Sequence, residues 1–145
     1  MPENNNNVSQ RIVPMIAYED GAAAIDWLVR AFGFREITRM SADDGQISHA
    51  ELELSGGVIM LPSPTPDYQC PRRHREQCEP ARRWSALPWI IDGVMVYVSD
   101  ADSHHQQARK AGARILSEPE DKPFGRIHRA EDLEGHRWMF VQAAG

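Results

Sequence analysis

Written one above the other, MIAYEDGAAAIDWLVRAFGFR (15–35) and VMVYVSDADSHHQQARKAGAR (94–114) align without a gap at an offset of 79 residues. Tyr18 falls on Tyr97, Ala22 on Ala101, Arg30 on Arg109, Gly33 on Gly112 and Arg35 on Arg114. Further along, GQISHAE (45–51) lies over GRIHRAE (125–131) at an offset of 80, after which the offset returns to 79 and places Met60 on Met139. An offset that recurs on both sides of a weaker middle stretch marks a duplicated module, and a duplicated module restricts the architecture more than composition does.

Both copies share one local grammar. Residues 12–18 and 93–99 are short and rich in Val, Ile, Met and Tyr, as strands are. Asp20, and Asp100 or Asp102, can cap a following helix by accepting from its free amides. Apolar residues at three- and four-residue spacing (Ala24, Leu28, Ala31, Phe32; Ala101, His105, Ala108, Ala111) give each helix a buried stripe. Gly33 and Gly112 close the helices. Three further strands follow in each copy, at 34–40, 46–54 and 57–62 and at 113–118, 126–132 and 137–142. The expected fold class is α+β: two βαβββ modules whose strands form a curved mixed sheet around a cleft. Residues 1–10 are expected to be a disordered polar tail, 11–64 the first module, 65–92 a connector and 93–145 the second module, all within one structural domain. The stretch 63–93 holds five prolines, and CPRRHREQCEPARRW within it can form one or two helical turns. So long a connection either crosses a cleft or wraps a second subunit.

Several functional classes are excluded at this level. The 145 residues carry 41% hydrophobic and 26% charged side chains, and no apolar run reaches the ~18 residues of a membrane span. A net charge of −5 argues against a nucleic-acid partner. The polar start, MPENNNNVSQ, lacks the parts of a secretion signal, so a cytoplasmic address is expected. Two cysteines cannot form a disulfide framework.

With AIDWLVRAFGF in the first copy and PFGRIHRAEDLEGHRWMFV in the second, the duplicated pattern resembles the vicinal oxygen chelate superfamily, which includes glyoxalase I, bleomycin-resistance proteins and extradiol dioxygenases. The resemblance covers about residues 11–142 and is closest to the glyoxalase/bleomycin-resistance branch. It implies two modules enclosing a cleft, often within a homodimer. In metal-dependent relatives, His, Gln or Glu side chains at repeat-equivalent positions hold a divalent ion. Those positions map here to Pro14, Met60, Gly93 and Met139. Proline and glycine have no donor side chain, and a thioether is a poor ligand for hard or borderline divalent ions. No metal and no cofactor is therefore expected.

Strand alternation assigns the faces. Val94, Val96, Val98, Ala50, Leu52, Leu54, Trp138 and Phe140 belong to the helix-packed side. His49, Glu51, Glu53, Met95 and Tyr97 belong to the cleft, and the repeat offset adds Tyr18, Met60, Arg129, Glu131 and Met139. His49 and Glu51, at i and i+2 on a strand, are the candidate catalytic pair for acid–base chemistry, although Glu51 paired with an arginine is the simpler reading. The connector's Tyr68, Trp84 and Trp89 either stack on a flat ligand or anchor the connector. Cys70, His74 and Cys78 stand four apart, as a surface metal or redox site or, more simply, as incidental residues; RRHR (72–75) reads as a solvated face or a subunit contact. Two functions follow. One is metal-independent binding of a small, aromatic or cationic molecule, as in sequestration of an antibiotic or toxic metabolite. The other is a lyase, isomerase or dioxygenase that works with a metal or through His49 and Glu51. Whether the chain is an enzyme stays open at this stage.

Overall fold

The computed structural model describes residues 10–145. The expected disordered tail falls on residues 1–9, outside the described residues, and on Gln10. The Gln10 side chain pairs with the backbone of Val58 at 2.7 and 2.8 Å. The fold is mixed α+β, and its strands divide into two sheets. The first module runs α1 (Gly21–Phe32), β1 (Arg35–Ser41), β2 (Ile47–Leu54) and β3 (Gly57–Pro62). The connector forms α2 (Pro71–Gln77) and α3 (Glu79–Trp84). The second module runs β4 (Gly93–Tyr97), α4 (Ala101–Lys110), β5 (Arg114–Lys122), β6 (Gly125–Glu131) and β7 (Arg137–Ala143). The sheets are ordered β1-β2-β3 and β4-β7-β6-β5, with β4 parallel to β7 and the other pairs antiparallel. No helix among the described residues is long and apolar enough to cross a membrane.

Both module helices start as the sequence dictates. The Asp20 carboxylate accepts from the Ala23 amide at 3.1 Å, and the Asp100 carboxylate from the Ser103 amide at 3.0 Å. Gly33 ends α1 at φ 86°, a left-handed conformation that a Cβ would penalise. The apolar stripe of α1 (Ala24, Ile25, Leu28, Ala31, Phe32) is fully buried against Ala50, Leu52, Trp138 and Phe140, so one core serves both modules. Val94, Val96, Val98 and Leu54 pack against that core, as alternation predicts.

The strand expected at 12–18 is reduced to a single parallel bridge, Met15 to Met60, formed as the Ile16 amide donates to Met60 and the Met60 amide to Pro14. In the second module the equivalent pairing joins Met95 to Met139. The repeat offset would put Ile16, not Met15, opposite Met60. The copies have slipped by one residue, and a one-residue slip exchanges the faces of a strand. Ile16 and Tyr18 are therefore in the core, whereas Met95 and Tyr97 are exposed.

The modules also meet through histidines. His104 Nε2 lies 2.8 Å from the Phe32 carbonyl and must donate to it. Its Nδ1 then accepts from His128 Nε2 at 3.0 Å, which leaves His128 Nδ1 a buried lone pair without a donor. His105, also buried, sits edge-on to His128. It is a packing residue, as expected. Burial, then the neighbouring His104 and His105, press the His128 pKa down to about 3, and burial lowers that of His104.

Above the ordinary histidine pKa of about 6.5, both folded and unfolded chains hold these rings neutral. Below it the unfolded chain takes up protons that the folded chain refuses, so stability falls as pH drops from about 6.5 towards 3. Urea unfolding at pH 7 and pH 5 will show a loss of about 2 kcal/mol from His128 alone, since each unit of pH in this window is worth about 1.4 kcal/mol. His128→Gln will flatten that difference. An equal loss in both proteins would show that the acid sensitivity lies elsewhere.

Candidate functional site

Strand pairing sets the residues of each sheet's open face, the face turned from the helices, into rows. On the first sheet one row is Thr38, Glu51, Met60 and Met15, the next Met40, His49 and Pro62, and a third Arg35, Glu53 and Val58. On the second sheet the rows are Gly93, Arg137, Glu131 and Arg114; Met95, Met139, Arg129 and Ser117; and Tyr97, Val141, Ile127 and Glu120. Each face thus carries a methionine pair, Met15–Met60 and Met95–Met139, at corresponding places. Thioether side chains are polarizable and adapt to flat ligands.

Over the second face lies the connector. Trp89 sits above Arg129, with the guanidinium carbon 6.0 Å from the ring centre. Beneath it, Pro88, Trp89, Ile91, Met95, Arg129 and Met139 bound a hollow of about 190 Å³. A groove of about 220 Å³, lined by Phe34, Val58, Ile59, Met95 and Tyr97 among others, follows the seam between the sheets. On the first face, His49 Nε2 and Glu51 Oε2 are 2.9 Å apart and partly buried. That contact is a histidine–carboxylate dyad; the arginine partner considered for Glu51 is not among its hydrogen bonds. His49 and Glu51 do not line the hollow under Trp89.

The expected site residues therefore distribute unevenly. Met95, Tyr97, Arg129 and Met139 share the second open face, and His49, Glu51, Glu53 and Met60 share the first. Tyr18 joins neither. It is 1% exposed, its hydroxyl donates to Asp132 at 2.6 Å, and burial followed by the charge of Asp132 raises its pKa. The one-residue slip accounts for this. Glu131 has the expected facing but is 2% exposed, held by Arg137 at 3.0 Å, Arg75 at 3.1 Å and Arg114 at 3.5 Å. Glu53 accepts from the Gly56 amide and from Arg35, which together lower its pKa. Glu51, Glu53 and Glu131, all assigned to the cleft by alternation and the repeat offset, therefore form no free acidic wall: each carboxylate already has a partner. Beside the hollow the charged groups are Arg129 and Arg137, the latter paired with Glu131.

The donor set does not fit the metal of the metal-dependent relatives. The corresponding positions present Met60, Met139, Gly93 and Pro14, with Met15 and Met95 beside them, and none offers an oxygen or imidazole nitrogen. Among the described residues no group of three or more His, Cys, Asp or Glu side chains could hold a metal ion. Cys70, His74 and Cys78 do not converge: Cys70 is buried ahead of α2 and Cys78 lies between α2 and α3.

Alternation and repeats did not point to Arg75 or Arg137. Both are buried and meet on Glu131, and Arg137 also donates to the Ser85 and Leu87 carbonyls at 2.6 and 2.8 Å. A signal existed. Pro71 fixes the start of α2, so Arg72 and Arg75, three apart, share a helix face that Arg73 does not. Parity within 137–142 likewise sets Arg137 beside Met139.

The model of the Glyoxalase/Bleomycin resistance protein/Dioxygenase superfamily matches residues 11–140. An uncharacterized protein of Mycobacterium bovis is 31% identical over 141 residues, spanning 94% of this chain and 85% of its own length. The crystal structure of TioX from Micromonospora sp. ML1 is 35% identical, covers 94% of this chain and 98% of its own, and superposes with a TM-score of 0.66. TnmS3, an antibiotic binding protein from Streptomyces sp. CB03234, shares the fold at 15% identity and a TM-score of 0.61, over 95% of this chain and all (100%) of its own. By family match, identity to full-length relatives and module order together, the chain belongs to the Glyoxalase/Bleomycin resistance protein/Dioxygenase superfamily.

Proposed function

We propose that this chain is a metal-independent small-molecule binding protein that takes a flat, largely apolar ligand on the open face of its second sheet. The observation that carries this reading is the hollow under Trp89, with Met95 and Met139 as floor and the Arg129 guanidinium as its polar group. An aromatic ligand there would stack on Trp89 and press on the thioethers. Arg129 favours an electron-rich or anionic edge, the reverse of the cation preference expected from the sequence. Sequestration of an antibiotic or toxic metabolite is the activity such a site would serve. The likeness to TnmS3 bears on fold alone.

At about 190 Å³ the hollow is smaller than the ~300 Å³ at which small-molecule pockets usually begin. The first sheet's open face, with Met15 at 67% and Met40 at 50% exposure, is uncovered by any described residue of the same chain. We infer that a second copy brings its first-sheet face over this second-sheet face, as a homodimer, and completes the cleft. His49 and Glu51 would then enter the site from the partner copy. Their 2.9 Å contact favours a second reading, acid–base catalysis on the bound molecule.

Native mass spectrometry of protein taken from its source, followed by thermal-shift titration of any planar compound found, tests the binding reading. A ligand at a hundred times its Kd stabilises by about 2.7 kcal/mol, and this shift will survive EDTA and vanish in Trp89→Ala. A full equivalent of zinc, nickel or iron, lost when His49 and Glu51 are both replaced by Ala, would contradict it. Turnover of the compound that stops in His49→Ala would favour the catalytic reading.

Light scattering at micromolar concentration tests the assembly. The expected species has twice the chain mass, and Met15→Glu, which sets a charge on the exposed first-sheet face, will shift it towards the monomer. A monomer in the unsubstituted protein would refute the dimer.

A further inference from the structure

On the other side of Arg137 from the Trp89 hollow lies a larger one, of about 450 Å³, between the connector and the β6–β7 turn. Tyr68, His74, Arg75, Trp84, Asp92 and Arg137 are in its wall. It exists because α2 is pinned to that turn. The Arg72 amide donates to the Glu134 carbonyl at 3.0 Å, and the Arg75 guanidinium to the Gly135 carbonyl at 3.1 Å. A Cβ on Gly135 would stand 2.6 Å from Arg75 Nη2 and 2.7 Å from the Arg72 amide, so only glycine admits this approach.

The charge balance of this wall is incomplete. Two guanidinium groups, Arg75 and Arg137, with side chains 9% and 5% exposed, share the single carboxylate of Glu131. Arg114 reaches the same carboxylate at 3.5 Å from the solvent side. The other buried carboxylates of the turn are directed elsewhere. Glu134 accepts from the Glu19 and Asp20 amides, and Asp132 from Tyr18, Trp138 and two amides of its own turn. Buried ions are retained where they are matched. Here one buried positive charge has no counterpart. Burial lowers the pKa of Arg75, and the like charges of Arg137 and Arg114 add to this against the opposing pull of Glu131.

Arg75 is also under-used as a donor. Its side-chain hydrogen bond to described residues leaves from Nη2 to the Gly135 carbonyl, and the same nitrogen forms the ion pair with Glu131. Nε and Nη1 have no acceptor among the described residues, and the side chain lines the hollow. Nε and Nη1 stand on different edges of the guanidinium, and either can give a carboxylate oxygen a single charge-assisted bond. Trp84 and Tyr68 supply aromatic surface in the same wall. Asp92, exposed at the rim, is the one lining carboxylate and works against an anion.

We propose that this hollow is a second binding site, for a small aromatic carboxylate whose anionic group is taken by Arg75 and whose ring lies against Trp84. The connector supplies most of this wall, and the two hollows share only Ile91 and Arg137.

Isothermal titration with 1-naphthoate at low salt tests the proposal, with uncharged 1-naphthamide as the comparison. Naphthoate will bind saturably at one site, and more weakly as salt rises. Arg75→Lys, which retains the charge and loses Nε and Nη1, will weaken it about tenfold, as will Trp84→Ala; naphthamide will bind about tenfold less tightly than naphthoate. Should Arg75→Lys fail to fold, Trp84→Ala on the exposed side and the amide comparison still decide the matter. Absence of saturable binding, equal affinity for acid and amide, or binding that survives Trp84→Ala and disappears in Trp89→Ala would each overturn it.

Discussion

The carboxylate of Asp132 is 5% exposed and accepts four hydrogen bonds. Tyr18 donates from its hydroxyl at 2.6 Å and Trp138 from its indole at 3.1 Å; the Glu134 and His136 amides donate at 3.0 Å each. Two of these bonds shape the β6–β7 turn, one holds the core side of β7, and one crosses to the extended segment that opens the first module. A buried carboxylate satisfied in this way leaves its partners few alternatives, because freeing one would strand a polar group out of water. Glu134 doubles the link by accepting from the amides of Glu19 and Asp20, at the entry to α1. The two copies of the module are thereby locked at one corner, and the shared core and the histidine chain from Phe32 to His128 follow.

That corner also places both hollows. With the turn held, Gly135 presents a surface without a side chain on which α2 can sit, and Arg72, Arg75 and Arg137 fasten the connector to the turn and to Glu131. The connector then runs along the second sheet, with Trp84 in the wall of one hollow and Trp89 over the other. Arginine, not carboxylate, sets the local potential on this side of the molecule. The overall charge of −5 is therefore a poor guide to the ligand: the carboxylates that produce it are paired, exposed elsewhere or buried under guanidinium groups.

The α+β class and the facing of β2, β4, β6 and β7 were legible in the sequence because they rest on local rules: period-two alternation, Asp caps and a glycine stop; the family was legible only through the resemblance carried by AIDWLVRAFGF and PFGRIHRAEDLEGHRWMFV. What was not legible depends on pairing between distant segments. Tyr18 aligned with Tyr97, yet Met15 rather than Ile16 pairs with Met60, and no residue near Tyr18 announces that slip. Asp132 was readable as a turn residue and not as the acceptor for Tyr18, 114 positions away. Glu131 had the right parity, but alternation gives facing and not cover, and the cover comes from arginines in a connector without periodicity. The same limit hid Arg75, whose neighbours in RRHR are exposed.

A double-mutant cycle of Asp132→Asn and Tyr18→Phe, read by urea unfolding, tests most directly whether this corner holds the modules together. If Asp132 and Tyr18 act as one link, the two substitutions will be non-additive, with a coupling energy of about 1–3 kcal/mol, because each removes the other's partner. Additivity within about 0.5 kcal/mol would mean that the modules are held by the shared apolar core alone and that the corner is incidental to the fold.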